Sequence, residues 1–418
     1  MILACQEITT EDDFAGLRQA WEELFLHCAY PTPFCAWDWA WLWWQRMAAP
    51  DSLAFRLLIV SITNSEGLIV ALAPFYYPAA PGSFFKLRPL RLLGTRIRCR
   101  REDMTDEPIL LLRTGWEDAA LRALLAHLAA WRGSDWDLTH VQVMRRREDM
   151  PLASLWKQRQ SGSALLLSHT RSIAGQMAPL PDSWAAFQKS LSRSMRDNLP
   201  YYPRLLTRHG HDWTVRAART PMAAAAAADS LIALHHCRSQ STRGAKHLDH
   251  LPEPQHERFL REILTTLAAQ GRAWIVLLEV GGIPIAAQAV LEQAPMVTFY
   301  YSGFDPHWHA YSPITILNAH VMKEAIRRGV PFANYLPESE PWKTRWGTTD
   351  LYVMEELTWL PLRPRPLLGA FRRSAVRRWQ RHFGGDCDCG FCFLPLTRAA
   401  SVRDSHETTL KCPTETEA

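Results

Sequence analysis

The sequence contains no run of about 18 consecutive apolar residues, the length that a membrane-crossing helix requires. Its longest apolar stretches, residues 68–77 and 274–280, have the length of buried strands. The residues before Cys5 also lack the basic start and the long apolar stretch of a lipoprotein signal. We therefore expect a protein that neither spans a membrane nor is exported.

Two common catalytic motifs are also absent. The sequence has neither a phosphate-binding loop nor the elbow that presents a nucleophilic serine, which argues against P-loop nucleotide hydrolysis and α/β-hydrolase chemistry. Its nine cysteines are odd in number and scattered, so a disulfide framework is not expected. Free cysteines are typical of a reducing compartment, and the pattern predicts a cytoplasmic protein.

Two groups of histidine and cysteine are candidate metal ligands. The histidines match no zinc spacing, and neighbours on a helix point apart; they are His235, His236, His247, His250 and His256. Near the C-terminus, Cys387, Cys389 and Cys392 lie close together, with His382 or Cys412 as a fourth ligand. The sequence does not place four ligands there at the spacing of a zinc site, so no metal site is predicted. Zinc binding by these cysteines stays the alternative.

Length and composition indicate an ordinary globular protein with two domains. The 418 residues are 47% hydrophobic and 21% charged, and 18 tryptophans supply material for a large core. A single core stops growing well before this length, so two domains of similar size are expected. The net charge of +5 suits an anionic cofactor or substrate but is small for a dedicated nucleic-acid binder.

Hydrophobic periodicity predicts a similar order of helices and strands in each half of the chain. In the first half it predicts helices at 14–28, 34–44 and 116–131, and strands at 55–62, 68–77 and 138–143. In the second half it predicts helices at 223–237, 254–269 and 313–328, and strands at 273–280, 283–292, 296–303 and 332–336. Two α+β units, each with a mostly antiparallel sheet and packed helices, are the simplest account.

The remaining segments complete the predicted domain organisation. A basic helical arm at residues 184–210 lies at the start of the second domain and joins the domain of residues 1–175 to that of residues 176–362. Residues 363–418 form a tail that begins with a segment rich in arginine and apolar residues. Such a basic amphipathic segment can lie on an anionic membrane or dock on its own protein, and the polar end is expected to be disordered.

Six segments resemble, in order and spacing, the CelD and FemAB-like branch of the GNAT acyltransferases. They are residues 34–44, the basic helix 191–198, the hairpin 281–286, the strand end 300–305, the helix start Ser312-Pro313 and residues 340–347. The resemblance spans residues 20–350 and implies two GNAT-like domains, the second of which carries the activity. It implies an N-acyltransferase that uses acetyl-CoA or another acyl-CoA and acts on an amine of a sugar, an oligosaccharide or a polysaccharide precursor.

The resemblance also implies how the thioester is polarised and where the cofactor lies. A bulge in strand 283–292 or strand 296–303 would direct a backbone N–H at the carbonyl oxygen. The pyrophosphate would lie at a helix start, where a serine caps free N–H groups and Pro313 loses no hydrogen bond. The predicted cofactor-binding residues are Ser312, Ile314 and Thr315.

The predicted catalytic residues lie at a strand end and in the turn after the last strand. Tyr300 and Tyr301 are adjacent in a strand, so one should face inward and the other outward. Tyr301 is the predicted acid for the leaving thiolate, with a packed aromatic as the alternative. Glu338 and Glu340 are predicted to take the proton from the amine, with exposed loop carboxylates as the alternative.

The predicted substrate-binding residues follow in the same motif. In the family the matching lysine meets a phosphate of the substrate or nucleotide, and a lysine with a nearby arginine is well suited to that role. The residues concerned are Asn334, Trp342, Lys343 and Arg345.

Three residues depart from the family pattern and keep two other functions open. Ile314 replaces a glycine, and Asn334 and Ser339 stand where the family has an acidic residue and a glycine. One alternative is a FemAB-like transferase that uses aminoacyl-tRNA, which would need a more basic surface. The other is a catalytically impaired scaffold subunit of a polysaccharide biosynthesis system.

Overall fold

The computed structural model describes residues 3–48, 55–79, 88–95, 104–131, 135–160, 166–241 and 247–361. The predicted basic amphipathic segment, the candidate metal ligands Cys387, Cys389 and Cys392, and the polar tail lie outside these ranges. None of the helices within the ranges combines enough length with enough apolar character to cross a membrane.

The first unit contains the helices and strands up to residue 160. Its helices are α1 (Glu11–Gly16), α2 (Arg18–Leu26), α3 (Trp37–Trp43), α4 (Glu117–Ala130) and α5 (Leu152–Gln160). Its strands are β1 (Ala4–Ile8), β2 (Phe55–Thr63), β3 (Ile69–Pro78), β4 (Pro89–Leu92), β5 (Leu111–Leu112) and β6 (Leu138–Arg146). The predicted helix at 14–28 is divided into α1 and α2, and a 3-10 turn and a π turn flank α3. The predicted strands at 55–62 and 68–77 are confirmed as β2 and β3.

The second unit follows, with a last strand that returns to the first. Its helices are α6 (Trp184–Ser190), α7 (Arg193–Arg208), α8 (Pro221–Gln240), α9 (Pro254–Ala269), α10 (Pro313–Arg327) and α11 (Pro341–Thr344). Its strands are β7 (Leu166–Pro179), β8 (Trp213–Ala218), β9 (Ala273–Val280), β10 (Ile283–Gln293), β11 (Met296–Phe304), β12 (Phe332–Pro337) and β13 (Tyr352–Pro361). The predicted helices and strands between residues 223 and 336 are confirmed.

The strands of both units form one continuous sheet. The order is β1-β2-β3-β4-β6-β13-β7-β12-β11-β10-β9-β8, with β5 paired to β3. The pairings are antiparallel except β4 with β6 and β11 with β12. β13 lies between β6 and β7, and β7 continues across to β12, so the sheet passes from one unit to the other. This mixed sheet with packed helices confirms the α+β class, and residue 175, the predicted boundary, lies within β7.

The hairpin between β9 and β10 shows how local sequence sets the strand register. Gly281 and Gly282 have φ of +56° and +81°, and Val280 pairs with Ile283. A two-residue turn of this kind needs positive φ at both central positions, which glycine adopts without a steric penalty. The Gly-Gly pair therefore fixes the alignment of β10 beside β9.

The aromatic helix α3 packs the first unit against the second. The Trp39 ring lies 5.5 Å from the rings of Phe259 on α9 and Tyr300 on β11. The Trp39 indole N–H donates to Thr105 Oγ1 at 2.9 Å, and Phe34 also packs on Tyr300. Buried aromatic side chains contribute large apolar areas, so the two units share one hydrophobic core at this position.

Candidate functional site

β11 contains a β-bulge at its two tyrosines. Gln288 pairs with Ser302, and the next pair is Val290 with Phe299. One residue of β10, Ala289, therefore lies opposite two residues of β11, Tyr300 and Tyr301. An extra residue interrupts the ladder of hydrogen bonds and re-aims the neighbouring side chains. The structure therefore has a bulge within strand 296–303, one of the two strands for which it was predicted.

The bulge turns both tyrosine side chains toward the same residue of the first unit. The Tyr300 hydroxyl donates to the Met104 carbonyl oxygen at 2.5 Å, and the Tyr301 hydroxyl lies 3.3 Å from Met104 Sδ. The prediction that one tyrosine faces inward and the other outward is therefore wrong, because the extra residue breaks the alternation. Tyr301 stays half-buried, with its ring 5.6 Å from that of His235.

β11 and β12 separate beyond a short parallel pairing. They pair only from Met296 with Phe332 to Thr298 with Asn334, after which β12 continues along β7. Residues 104–110 of the first unit, here called the covering loop, contact both strands beside this gap.

Glu107 attaches the covering loop to β12. Asn334 Nδ2 donates to Glu107 Oε1 at 2.8 Å, while Asn334 Oδ1 accepts the N–H of Leu336. Glu107 is only 2% exposed, and its Oε2 has no hydrogen-bond partner among the described residues. Burial raises the pKa of Glu107 to about 7, and the Asn334 amide opposes this rise.

The placement of Asn334 departs from its predicted contact with substrate. The side chain is fully buried, and both ends of its amide are used within the protein. Asparagine here joins the loop of one unit to a strand of the other. The Asn334 side chain therefore supports the site from the protein interior and does not face a ligand.

Lys343 also departs from its predicted role. Its Nζ donates to the carbonyl oxygens of Pro337 at 2.8 Å and Glu338 at 3.1 Å, and the side chain is 7% exposed. Burial lowers the pKa of Lys343, whereas Glu340, Asp106 and Glu338 oppose that change. The ammonium group thus holds the turn after β12 closed, in place of the phosphate contact that the family pattern implies.

Asp106 lies on the covering loop, two residues after Met104. Its side chain is exposed to solvent, yet the surrounding protein raises its pKa, an effect that the Lys343 ammonium opposes and the Glu338 carboxylate adds to. We call the space bounded by Tyr301, Asp106, Glu338 and Lys343 the inter-unit cleft.

Backbone strain is concentrated around this cleft. Among the described non-glycine residues, positive φ occurs at Met104 (+57°), Ser312 (+45°), Leu336 (+67°) and Glu338 (+73°). Such conformations cost roughly 1–3 kcal/mol each and persist only where the surrounding structure enforces them. Met104 lies on the covering loop, Leu336 near the end of β12 and Glu338 in the turn after it, and such a cluster of strained residues is typical of a functional site.

The other predicted residues of the turn lie at its surface. Glu338 and Glu340 are exposed, and Glu340 accepts the indole N–H of Trp342 at 2.5 Å. Trp342 is also exposed, whereas Arg345 points away from Lys343 and contacts Met195 Sδ on α7 at 3.9 Å. The structure therefore separates the predicted Lys343 and Arg345 pair.

The predicted cofactor residues begin α10 as expected, but with a different cap. Pro313 occupies the first turn, and Ser312 adopts a left-handed conformation with no side-chain bond to the helix N–H groups. Its hydroxyl instead bonds Thr315 Oγ1 at 2.8 Å. The prediction that Ser312 caps the helix is therefore wrong, because its left-handed backbone places the hydroxyl beside Thr315. Ile314 packs partly buried against the core of the second unit.

Histidines and an arginine of α8 border the bulge. His235 Nδ1 bonds the Ser302 carbonyl oxygen, and its Nε2 accepts the His250 N–H. Burial lowers the pKa of His235 to about 4, and the hydrogen bond to Ser302 opposes this change. Arg238 donates to Ser302 Oγ at 3.2 Å. Within the described ranges, no group of three or more His, Cys, Asp or Glu side chains is arranged to hold a metal ion.

A separate groove of about 800 Å³ lies in the first unit. In its lining, Arg145 Nη2 donates to Asp118 at 2.7 Å and the Tyr30 hydroxyl donates to Asp149 at 2.5 Å, whereas Arg145 Nε and Nη1 have no hydrogen-bond partner among the described residues. None of the predicted site residues lines it. The inter-unit cleft, where the predicted and strained residues meet, is therefore the better candidate.

Sequence reasoning missed the residues that the first unit contributes. Asp106 and Glu107 stand in a short polar stretch that ends at Pro108, between segments without clear periodicity. Functional residues are frequent on such loops, which is the one signal that could have identified them. The contacts of the covering loop with β11 and β12 join positions about 200 residues apart in the chain, as in the 227-residue separation of Glu107 and Asn334.

Comparisons with known proteins match part of the chain to a protein family and the fold to a solved structure. The family model described as "Acetyltransferase (GNAT) domain" matches residues 193–344. No curated protein matches the chain. Among solved structures, FemX is similar with a TM-score of 0.54 and 10% identity, over 85% of this chain and 97% of FemX.

Two further solved structures are similar at lower scores. A tandem GNAT protein from the clavulanic acid biosynthesis pathway has a TM-score of 0.43 and 13% identity, covering 85% of this chain and 98% of that protein. L-PGS from Bacillus licheniformis has a TM-score of 0.42 and 12% identity, covering 78% and 90%. The likeness to FemX concerns the fold, and the family match concerns the region that holds β11, α10 and β12. Residues 193–344 therefore match a GNAT acetyltransferase domain, and the fold of the chain is similar to that of FemX.

Proposed function

We propose that this protein transfers an acyl group from an acyl-CoA to a primary amine of a sugar or a polysaccharide precursor, within the inter-unit cleft. The observation that supports this most directly is the bulge of β11 at Tyr301, beside the gap between β11 and β12 and inside the region that matches the GNAT family. A bulged strand beside a cleft offers a backbone N–H to a developing oxyanion.

The reaction follows from the groups around the cleft. The lone pair of the neutral amine attacks the thioester carbonyl carbon, and the backbone at the bulge stabilises the oxyanion that forms. Collapse of this intermediate forms the amide and breaks the carbon–sulfur bond. The half-buried Tyr301 hydroxyl gives its proton to the departing thiolate, and the proton that the amine loses is taken by a carboxylate of the cleft.

The start of α10 fits the anionic end of an acyl-CoA. This 15-residue helix follows β11 after a 3-10 turn at Pro306–Tyr311, and Pro313 at its first turn leaves the positive end of the helix dipole open to an anion. Ser312, Ile314 and Thr315 would lie against the pyrophosphate. Acyl-CoA supplies the activated thioester when bound, and we propose acetyl-CoA as its simplest form.

The proposal also includes the class of acceptor and a contact with a membrane. Carbohydrate is proposed because the resembling family acts on such amines, and Trp342 and Arg345 are exposed near the cleft, where they can contact the acceptor. We also propose a peripheral membrane contact through the basic segment at 372–381. The aminoacyl-tRNA alternative has its support in the FemX-like fold alone.

The first experiment measures donor binding and transfer by the purified protein. Calorimetry with acetyl-CoA and longer acyl-CoAs should show micromolar binding that weakens in Ser312→Ala. With an amino-sugar acceptor, thiol release should fall by about 10²-fold in Tyr301→Phe, the usual effect of losing a general acid. Tyr201→Phe, at an exposed position of α7, is the matched control. Absence of acyl-CoA binding by a folded sample would reject the acyl-CoA donor.

A further inference from the structure

We infer that Gln288 of β10 fixes the bulge of β11 and thereby directs the backbone N–H of Ser302 into the gap between β11 and β12, where it stabilises the oxyanion. This inference rests on the proposed function. It adds the donor of the hydrogen bond to the oxyanion and the side chain that positions that donor. Neither residue is among the site residues predicted from the sequence.

Gln288 is a polar residue within an apolar part of β10. Its side chain is 3% exposed, and the residues on either side of it, 285–287 and 289–291, are apolar and buried. Burying a side-chain amide costs free energy unless the amide is hydrogen-bonded. A glutamine at this position therefore indicates that polar groups beside it need a partner.

The bulge supplies these polar groups. Gln288 Nε2 donates to the carbonyl oxygen of Ala289 at 2.8 Å and to that of Tyr301 at 3.2 Å. Ala289 is the residue of β10 opposite the bulge, and Tyr301 is one of the two bulged residues of β11. Only the NH₂ end of the amide can donate, so both of its N–H groups are used. The Gln288 side chain thus joins the two strands where the bulge interrupts their ladder.

The Tyr301 carbonyl sets the direction of the N–H that follows it. A trans peptide group is planar, and its C=O and N–H point in opposite directions. The Tyr301 carbonyl oxygen is bonded by a side chain of β10, so it faces β10, and the Ser302 N–H is directed to the other side of β11. That side is the gap, because β11 pairs with β12 only up to Thr298.

Two side chains of α8 also hold Ser302. Arg238 Nη1 donates to its hydroxyl at 3.2 Å, and His235 Nδ1 bonds its carbonyl oxygen at 3.1 Å. Because His235 Nε2 accepts the N–H of His250, the ring proton is on Nδ1, which is therefore the donor. α8 lies so close to β11 that a Cβ at Gly303 would be 2.3 Å from the His235 nitrogen. The backbone that follows the bulge is therefore fixed.

The Ser302 N–H acts without giving up its proton. When the amine nitrogen bonds the thioester carbon, an electron pair of the C=O bond moves onto the oxygen, and this oxyanion accepts the hydrogen bond. Return of the pair re-forms the C=O bond and breaks the carbon–sulfur bond. A donor that is already in place needs no reorganisation when the charge develops. Gln288 does not touch the substrate and is a positioning residue.

Infrared spectroscopy of bound acetyl-CoA, labelled with ¹³C at the thioester carbonyl, measures this hydrogen bond. In the wild-type protein the carbonyl band should lie at a lower frequency than in free acetyl-CoA, because the hydrogen bond weakens the C=O bond. Gln288→Met keeps a similar size but has no donor, and the band should return toward its free position. With glucosamine as acceptor, kcat should fall by about 10²-fold, while the calorimetric affinity for acetyl-CoA changes by less than about 3-fold.

Two further variants separate this role from a loss of stability. In Gln288→Glu the protonated acid can donate one hydrogen bond and the carboxylate none, so its kcat relative to the wild-type protein should fall as pH rises. Gln176→Met is the matched control, because it removes another buried glutamine, on β7, whose described hydrogen bond is with Thr348. Its carbonyl band should match that of the wild-type protein, and its kcat should stay within about 3-fold.

Each outcome decides between the two proposals. If the wild-type protein transfers acetyl groups but Gln288→Met keeps the shifted band and kcat within about 3-fold, the inference is overturned while the proposed function stands. A wild-type band at the free position also overturns the inference, because no donor then meets the carbonyl oxygen. If urea unfolding shows that neither Gln288 variant folds, the glutamine is required for the whole fold, which again overturns the inference. If the wild-type protein binds no acyl-CoA, the proposed function fails and the inference with it.

Discussion

Replacement of Glu107 by glutamine should stabilise the protein at alkaline pH. Glutamine keeps the shape of the side chain and can still accept a hydrogen bond from Asn334, but it has no charge to desolvate. At low pH the native carboxyl is itself protonated and neutral. The two proteins should therefore differ only where the native Glu107 must ionise.

The size of this effect follows from the pKa of Glu107. Burial raises this pKa from 4.5 to about 7, a change of 7 − 4.5 = 2.5 pH units. At 1.36 kcal/mol per unit, the charged carboxylate costs the folded state about 3 kcal/mol. Between these two pKa values the folded protein binds more protons than the unfolded chain, so its stability falls as pH rises. The cost is absent below pH 4.5 and complete above about pH 7.

Urea unfolding followed by tryptophan fluorescence measures this difference directly. The free energy of unfolding of Glu107→Gln should exceed that of the wild-type protein by about 3 kcal/mol at pH 8 and should equal it near pH 4.5. Contributions from other titrating groups, such as the buried His235, cancel in the difference. Glu66→Gln, at an exposed turn position, is the control and should show no such pH dependence. Parallel pH profiles for wild type and Glu107→Gln would show that Glu107 is hydrated and that the covering loop is not closed.

Two further changes test the packing and the strain near the site. Gly303→Ala should destabilise the protein by about 3 kcal/mol in the same assay, because an added Cβ would lie 2.3 Å from the backbone nitrogen of His235. An unchanged midpoint of urea unfolding would show that α8 can move away from β11. Glu338→Gly should raise the free energy of unfolding by up to about 1 kcal/mol, because φ is +73° there, whereas Glu340→Gly, at φ of −128°, should lower it. Equal effects of both glycines would mean that the turn is not strained.

Strands with clear apolar patterns were predictable, and polar ones were not. β2, β3, β9 and β10 carry runs of buried apolar residues, so their periodicity is visible in the sequence. β13 has Glu355 and Glu356 at its centre and lies between β6 and β7, where Glu356 accepts a hydrogen bond from Gln142. Such a strand is stabilised by partners that lie far away in the chain.

For the candidate site, sequence reasoning proposed residues of the second unit and none of the covering loop. Tyr301, Glu338 and Lys343 were identified, and the structure brings them to the same cleft. Their orientations were not predictable, because a bulge and positive φ values leave no pattern of residue types at these positions. The buried state of Lys343 depends likewise on how the turn after β12 closes.

The sequence by itself determined the α+β class, most of the helices and strands, and the family of the second unit, because these depend on local periodicity and on motifs within short segments. Only the tertiary structure decided that β7 and β13 join the two units into one sheet, and that Met104 and Glu107 of the covering loop contact β11 and β12. The residues that make such long-range contacts show no distinctive pattern in the sequence. Their chemistry arises from burial and proximity, which the packing of the folded chain creates.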